Sequence, residues 1–334
     1  MGDKILMAHG SGGKLTHELI ENNFLKLFHN SVLTKLDDSA VFDLCGKLAF
    51  TTDSYVVSPL FFPGGDAGKL AVCGTVNDLS MCGANPLYLS LAFIIEEGFA
   101  KVDLEKIVDS IHLAAMEANV EIVTGDTKVV NRGCADGLFI NTSGIGLIPE
   151  GIDISGSNAK PGDKVIVSGT IGDHGIAVLS KREGLIFSTR LESDCAPLNG
   201  LASEMLKASR NVHCMRDPTR GGLATTLNEL AQQSSVTICI EEDKIPVREE
   251  VFGACEMLGL EPWYIANEGK LIAIIPAEYA SEILKAMRNH KYGKNAAIIG
   301  EVQAGYPGRV VMKTVLGTTR IMDMLVGDPL PRIC

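Results

Sequence analysis

The sequence is short of positive charge. Its 334 residues carry 41 acidic side chains against 30 Lys and Arg, a formal net charge of −11. Nucleic-acid binding as a general role needs a basic face, so that class is excluded. Phosphate ligands are not, because Mg2+ bridges carboxylates to them. Paired cysteines are missing too. The nine cysteines are odd in number and include no C-x-x-C. They fall at irregular intervals (Cys73 and Cys82, Cys195 and Cys214), which argues against a zinc site and a disulfide framework. No run of about 18 apolar residues occurs, so no membrane-spanning helix is expected. The opening MGDKILMAHGSGGK lacks the apolar core of a signal peptide. These absences point to the cytoplasm and to reduced thiols. Short-period repeats and low-complexity tracts are absent as well.

What is present suits about two domains, with 46% hydrophobic residues to build their cores. Leu15, Leu19, Phe24, Leu27 and Phe28 recur at near-helical spacing. KLAFTTD reads as a strand running into Asp53, and GKLAVCGTVNDLSMCGA as a helix of small residues. PLYLSLAFIIEEG alternates at Leu87, Leu89, Leu91, Phe93 and Ile95, a strand signal. Asp103 is placed as the cap of a helix that turns Leu104, Ile107, Val108, Ile111 and Ala115 inward. EIVTGDTK and LFINTSGIGLIP follow as strands. At KPGDKVIVSG the pattern restarts behind Pro161 and Gly162, giving a boundary near 150–162. Beyond it, helices (LNGLASEMLKAS, GLATTLNELAQQ, EYASEILKAMRNH) mix with strands (VTICI, KLIAIIP, AAIIGEV, RVVMKT). The chain is α plus β throughout.

Four features carry chemistry. HGSGGK, residues 9–14, brings glycines that let backbone approach phosphate, with Lys14 adding charge; it is not a Walker loop, and alone it fits a loop before a helix equally well. Asp37 and Asp38 sit in KLDDSAV, while Asp53 and Asp126 end strands and Asp78 lies in a helix. Carboxylates in apolar surroundings are costly unless paired or metal-bound, though any one of them also suits a helix cap or turn. Ala71 and Gly74 share a helix face with Asp78, leaving room for an ion or phosphate there. RDPTRGGLATTLNELA, residues 216–231, opens a helix at Gly221 and Gly222 between Arg216 and Arg220 and suits an anion or an amide oxygen. In NEGK, residues 267–270, Glu268 is a candidate base or an ordinary turn residue. The sequence closes on PLPRIC, whose prolines stiffen the approach to Cys334.

DDSAV, TTDSYVVSP, GKLAVCGTVNDLSMCGANPLYLSLAF, TGDTK and DPTRGGLA, in this order, resemble the ATP-dependent superfamily of aminoimidazole ribonucleotide synthetase, selenophosphate synthetase and thiamine-phosphate kinase. HGSGGK in front, NEGK late and PRIC at the end narrow the resemblance to the hydrogenase maturation family HypE, over essentially the whole chain. The resemblance implies a two-domain PurM-like α+β fold. Its N-terminal sheet pairs across a homodimer into a barrel, and its second α/β domain has a mixed sheet and an extended tail. The limits expected are 1–155 for ATP binding and dimerisation, 156–314 for the second domain and 315–334 for a mobile tail. It further implies that a carbamoyltransferase, HypF, loads Cys334 and that ATP drives dehydration of the resulting thiocarboxamide to a thiocyanate. Cyanide then passes through a HypC–HypD scaffold complex to the iron of a [NiFe]-hydrogenase.

Carried onto this sequence, the resemblance makes Asp38, Asp53, Asp78 and Asp126 ligands of Mg2+ and phosphate, with Asp37 an alternative to Asp38. Gly12, Gly13, Lys14 and Asn77 belong to the ATP site. Arg216, Asp217, Thr219 and Arg220 lie near the tail or phosphate. Cys334, Glu268 and Lys128 are catalytic, the last two able to exchange duties. The tail acts within one subunit or across the dimer. Two rivals remain: a superfamily kinase acting on a free small molecule, which gives PLPRIC no task, and a non-catalytic thiol carrier or scaffold. Prenylation is excluded because it needs cysteine four from the end. Selenophosphate synthesis fits worse, because HGSGGK holds no reactive cysteine.

Overall fold

The computed structural model describes residues 4–11, 13–36, 39–185, 191–325, 327 and 330–333. After a short helix α1 (Lys14–Leu19), the first half builds β1 (Lys47–Tyr55), a small ribbon of β2 (Phe61–Phe62) and β3 (Gly65–Asp66), then α2 (Ala67–Met81), β4 (Asn85–Glu96), α3 (Lys101–Ala118), β5 (Glu121–Val130) and β6 (Leu138–Ile148). The four long strands form a sheet in the order β1-β6-β4-β5. All pairs are antiparallel except β4–β5, which is parallel. That parallel pair requires a crossover, and α3 supplies it. The alternation seen in the β4 sequence is real: Leu89, Leu91, Phe93 and Ile95 are buried, while Ile94 between them is exposed. Period-two burial means that one face of the sheet is covered. The helices α2 and α3 cover it, packing on each other, α2 also on β1 and β6 and α3 on β5. Asp103 lies within the first turn of α3, whose N-cap is Ala100. It does not cap the helix as the sequence suggested; its carboxylate meets Lys106 one turn on, at 3.0 Å.

The second half runs β7 (Lys164–Val167), α4 (Asp173–Glu183), α5 (Asn199–Ala208), β8 (Cys214–Arg216), α6 (Gly222–Ser234), β9 (Thr237–Glu241), α7 (Glu249–Leu258), β10 (Ile272–Ile275), α8 (Ala277–Asn289), β11 (Ala297–Gln303), β12 (Arg309–Lys313) and β13 (Thr319–Ile321). These strands make one mixed sheet, β13-β12-β9-β11-β7-β10-β8. Its central strands read KVIV and IAII, apolar without alternation, which fits a sheet buried on both faces. Val165, Val167, Ile272 and Ile274 face a core shared with α6, whereas Ile166, Ala273 and Ile275 face one shared with α5 and α8. The β12–β13 hairpin belongs to this sheet, so regular structure continues into the segment expected to be tail. The described end of the chain is docked, with Leu330 and Ile333 buried in an apolar cluster that the first half shares with α4 and α7.

Candidate functional site

Between the two sheets, the sequence brings carboxylates together from both halves. Asp53 sits near the end of β1 and Asp78 on α2. Asp78 accepts a hydrogen bond from the Thr51 hydroxyl at 2.8 Å. Burial raises its pKa and the neighbouring Asp53 raises it further, against the pull of Thr51 and Arg216. Partial burial, then Asp78 and to a lesser degree Asp53, push Asp217 up to about 7. Glu268 is buried, and its affinity for a proton is raised well above the usual carboxylate range by burial, with Cys195, Asp217, Asp194 and Asp53 adding to it. Its Oε1 is one of three buried side-chain polar atoms that have no hydrogen-bond partner among the described residues. Four acids of one electrostatic neighbourhood repel one another, and a cation or transferred proton relieves that repulsion.

The loop that carries Glu268 is held rigidly. Its amide donates to Asp194 Oδ1 at 3.0 Å, and Asp194 Oδ2 accepts from Lys270 Nζ at 3.0 Å. Gly269 passes so close to the 194–196 segment that an added Cβ would lie 1.8 Å from the Asp194 carbonyl oxygen. Asn77 completes the clamp: its Nδ2 donates to the carbonyls of Ala196 and Glu268 at 3.1 and 3.3 Å, and its Oδ1 accepts from the Leu198 amide at 2.8 Å. The amide group of Asn77, expected at the nucleotide, thus holds the Glu268 loop to the 196–198 segment. Part of the space foreseen along this helix face is taken: Tyr55 packs against Gly74, where a Cβ would meet its hydroxyl at 2.3 Å.

Asp126 and Lys128 form a separate exposed pair, 3.0 Å apart. The register explains why. Asp53 pairs with Thr142, whose side chain points to α2. Asp126 aligns with Ala92 and Asn141 on the opposite face. Asp53 and Asp126 thus point to opposite sides of the sheet and stand three strands apart, ~14 Å. Within one chain they cannot share an ion, and no group of three or more potential metal ligands occurs among the described residues. Next to Asp126 and Lys128 lies an apolar cavity of about 220 Å3 lined by Phe24, Phe28, Leu36, Phe93, Ile122 and Gly10, among others. Lys14 projects into solvent and pairs with Glu18 at 3.7 Å, and Gly13 is the N-cap of α1. Arg216 binds back to Glu229 of α6 at 2.8 Å, Thr219 accepts the Gly222 amide through its carbonyl, and Arg220 lies on the exposed turn before α6. Gly12, Asp37, Asp38 and Cys334 lie outside the described residues.

The sequence reading missed the residues that hold the end of the chain. His174, on α4, is fully buried; its Nδ1 meets Ser193 Oγ at 2.8 Å and its Nε2 the Ile333 carbonyl at 3.0 Å. Burial lowers its pKa, against opposing effects of Asp194 and the Ile333 carbonyl. Arg182, about two turns further along α4, reaches the carbonyls of Pro331 and Arg332. Apolar spacing at Ile176, Ala177 and Leu179 would have revealed the helix; nothing in it reveals these partners.

Comparison with known proteins identifies the family. Residues 36–148 match the family model "AIR synthase related protein, N-terminal domain", and 160–313 the corresponding C-terminal domain. A carbamoyl dehydratase HypE of Azotobacter vinelandii is 54% identical, covering 98% of this chain and 96% of its own length. A crystal structure of hydrogenase maturation protein HypE in complex with ATP superposes with a TM-score of 0.96 at 51% identity, covering 98% of this chain and 99% of its own. Another, of a HypE–HypF complex, gives 0.82 at 53%, covering 92% and 99%. The chain belongs to the HypE family of carbamoyl dehydratases of hydrogenase maturation, built from the two domains of AIR-synthase-related proteins.

Proposed function

We propose that this chain uses ATP to dehydrate a carbamoyl group carried on its own Cys334, giving a thiocyanate that supplies cyanide to the iron of a [NiFe]-hydrogenase. One observation carries the reading. The loop of Glu268, a buried acid with an unpartnered oxygen, is tied through Asp194 to the Ser193–His174 pair that holds the carbonyl of Ile333, the residue just before Cys334.

The chemistry follows from leaving groups. A carbamoyl oxygen leaves poorly. Its attack on the γ-phosphorus of ATP releases ADP and makes it a phosphate ester oxygen. Loss of the nitrogen protons then expels phosphate as the second and third C–N bonds form. The oxygen of the lost water ends in phosphate. A base must take a nitrogen proton. Glu268 is suited to that task because burial strengthens its hold on a proton. Lys128 is suited to the transferring phosphoryl group, and Arg216, Asp217, Thr219 and Arg220 to the phosphate or tail.

The relative solved with ATP supports nucleotide use, and the apolar cavity beside Asp126 and Lys128 is suited to the base of the nucleotide. Asp53, Asp78 and Asp217 are mutually repelling hard-oxygen groups that do not form a ligand set by themselves; together with nucleotide phosphates, Asp38 and the opposite protomer's Asp126 they would hold Mg2+, which would neutralise charge as the phosphoryl group moves. Because Asp53 and Asp126 face opposite sides of one sheet, a nucleotide that uses both draws on two protomers. The uncovered sheet face, with Leu48, Phe50 and Ile94 exposed, supports a homodimer closed across it. The relative solved with HypF supports that carbamoyltransferase as the loading partner, and the family role supports a HypC–HypD acceptor, all in the cytoplasm.

The test is the intact mass of the Cys334-carbamoylated chain before and after Mg-ATP. The expected result is loss of one water, dependent on ATP and absent in Glu268→Ala. ATP consumption with an unchanged carbamoylated mass, persisting in Cys334→Ala, would replace this reading with a kinase acting on a free small molecule. Binding without ATP consumption would leave a thiol carrier or scaffold.

A further inference from the structure

The end of the chain is gripped by its backbone. Three consecutive carbonyl oxygens each accept a hydrogen bond from a side chain of α4. Arg182 Nη1 donates to Pro331 and Nη2 to Arg332, both at 2.8 Å, and His174 Nε2 meets Ile333 at 3.0 Å. The Ser58 amide gives the Arg332 carbonyl a second donor at 3.1 Å, and Arg182 Nε ties Ser58 itself at 2.9 Å. The guanidinium of Arg332 turns the other way. It donates to the Val56 carbonyl at 2.9 Å and pairs with Asp136 at 2.5 Å. Arg332 adopts a left-handed φ of +56°, which costs a non-glycine residue free energy and persists only where surrounding contacts fix it.

The hydrogen-bond directions around His174 form one consistent set. A carbonyl only accepts, so Nε2 carries the hydrogen. The Cys195 amide donates to Ser193 Oγ at 3.0 Å, which leaves the hydroxyl hydrogen for His174 Nδ1. The ring is fully buried and edge-on to Phe62, 5.5 Å between centroids, surroundings that favour the neutral form. The relay therefore runs from the Cys195 amide through Ser193 and neutral His174 to the last carbonyl before residue 334.

We propose that His174, Ser193 and Arg182 are positioning residues that set the register of the reactive tail by reading its backbone, with His174 fixing the carbonyl one residue before the thiol. Spacing to the thiol then decides whether the carried group reaches the site. The proposal rests on the tail being the carrier, and its test separates the two ideas.

The docking readout is the rate at which carboxypeptidase Y removes Ile333 from the full-length, uncarbamoylated chain without nucleotide, followed by intact mass. His174→Phe and Arg182→Ala are each expected to speed removal about tenfold. His174→Gln should return most of the protection, because a carboxamide both donates to Ile333 and accepts from Ser193. On the carbamoylated chain, His174→Phe should slow single-turnover loss of water about tenfold, with the KM for ATP unchanged. Glycine inserted between Ile333 and Cys334 should leave the digestion rate alone and slow turnover. Digestion of Arg182→Ala within twofold of wild type overturns the dock even if His174→Phe does not fold, since Arg182 lies at the helix end. Glycine insertion without loss of turnover overturns the register role. Failure of the wild-type chain to lose water would instead sink the dehydratase reading while the digestion rates still judge the dock.

Discussion

Individual side chains here do opposed electrostatic work. Asp173, beside the tail-holding His174, is fully buried and is raised from the usual 3.8 to about 6, mainly by burial, against Lys270, Thr170 and Arg248. The fold therefore holds this proton more tightly than the unfolded chain does. The stabilisation is complete below about pH 4 and is lost as the pH rises through 6, the loss amounting to ~3 kcal/mol by pH 8. Asp173→Asn keeps a neutral group at all pH values. Its melting temperature relative to wild type should therefore climb between pH 4 and 7, and a flat difference curve would remove Asp173 from the account. Asn77 is the opposite case, a neutral residue whose bonds are all made. Asn77→Ala strands two carbonyls and an amide and should cost about 2–3 kcal/mol in urea unfolding. It should also lower the rate of water loss, because the Glu268 loop loses its clamp. Glu268→Gln keeps the volume but cannot take a proton, so it should fold normally and show no loss of water.

At the scale of elements, α2 is the part on which both halves register. Its small residues are requirements of contact. Gly68 lies against the Ile107 carbonyl of α3, and Gly74 against the Tyr55 hydroxyl. Gly74→Ala should cost about 1–3 kcal/mol by overpacking. Tyr55→Phe in the same chain should recover part of that, since it removes the oxygen nearest the new methyl. Equal stabilities for the single and double variants would mean that the helix shifts instead. The start of α6 is constrained in a different way. Gly221 and Gly222 have φ of +78° and +61°, and a Cβ on Gly222 would lie 2.6 Å from the Ile265 carbonyl. The RGG motif is thus needed for the turn that brings Asp217 toward Asp78, whatever its residues bind.

At the scale of the whole molecule, the first sheet has one covered face and one open one, and the open face carries Phe50 and Leu48. On the proposed two-protomer site, Phe50→Asp should give a monomer in sedimentation analysis and weaken ATP binding at least tenfold, because Asp126 and Lys128 would lose the opposite protomer's carboxylates. A monomer with unchanged ATP affinity would show that each chain holds a complete site. The second sheet is buried on both faces, and the chain returns from it to place its end in the apolar cluster that the first half shares with α4 and α7.

The sequence by itself determined the elements and the family. Alternation in β4, continuous apolar runs in β7 and β10, the small residues of α2 and the order of the aspartate motifs are local patterns, and local patterns survive in one dimension. Its local reading misplaced the cap of α3 and did not identify α4 or α7. Only the tertiary structure decided which acids meet. Register across four strands sends Asp53 and Asp126 to opposite faces although both end strand-like motifs, and folding joins Asp217 and Glu268 to Asp53 and Asp78 from far along the chain. It also decided the tasks of Asn77, Tyr55, His174 and Arg182. Their partners are backbone groups and glycines distant in sequence, and a carbonyl oxygen is present at every residue, so no residue pattern marks the one that a side chain will find.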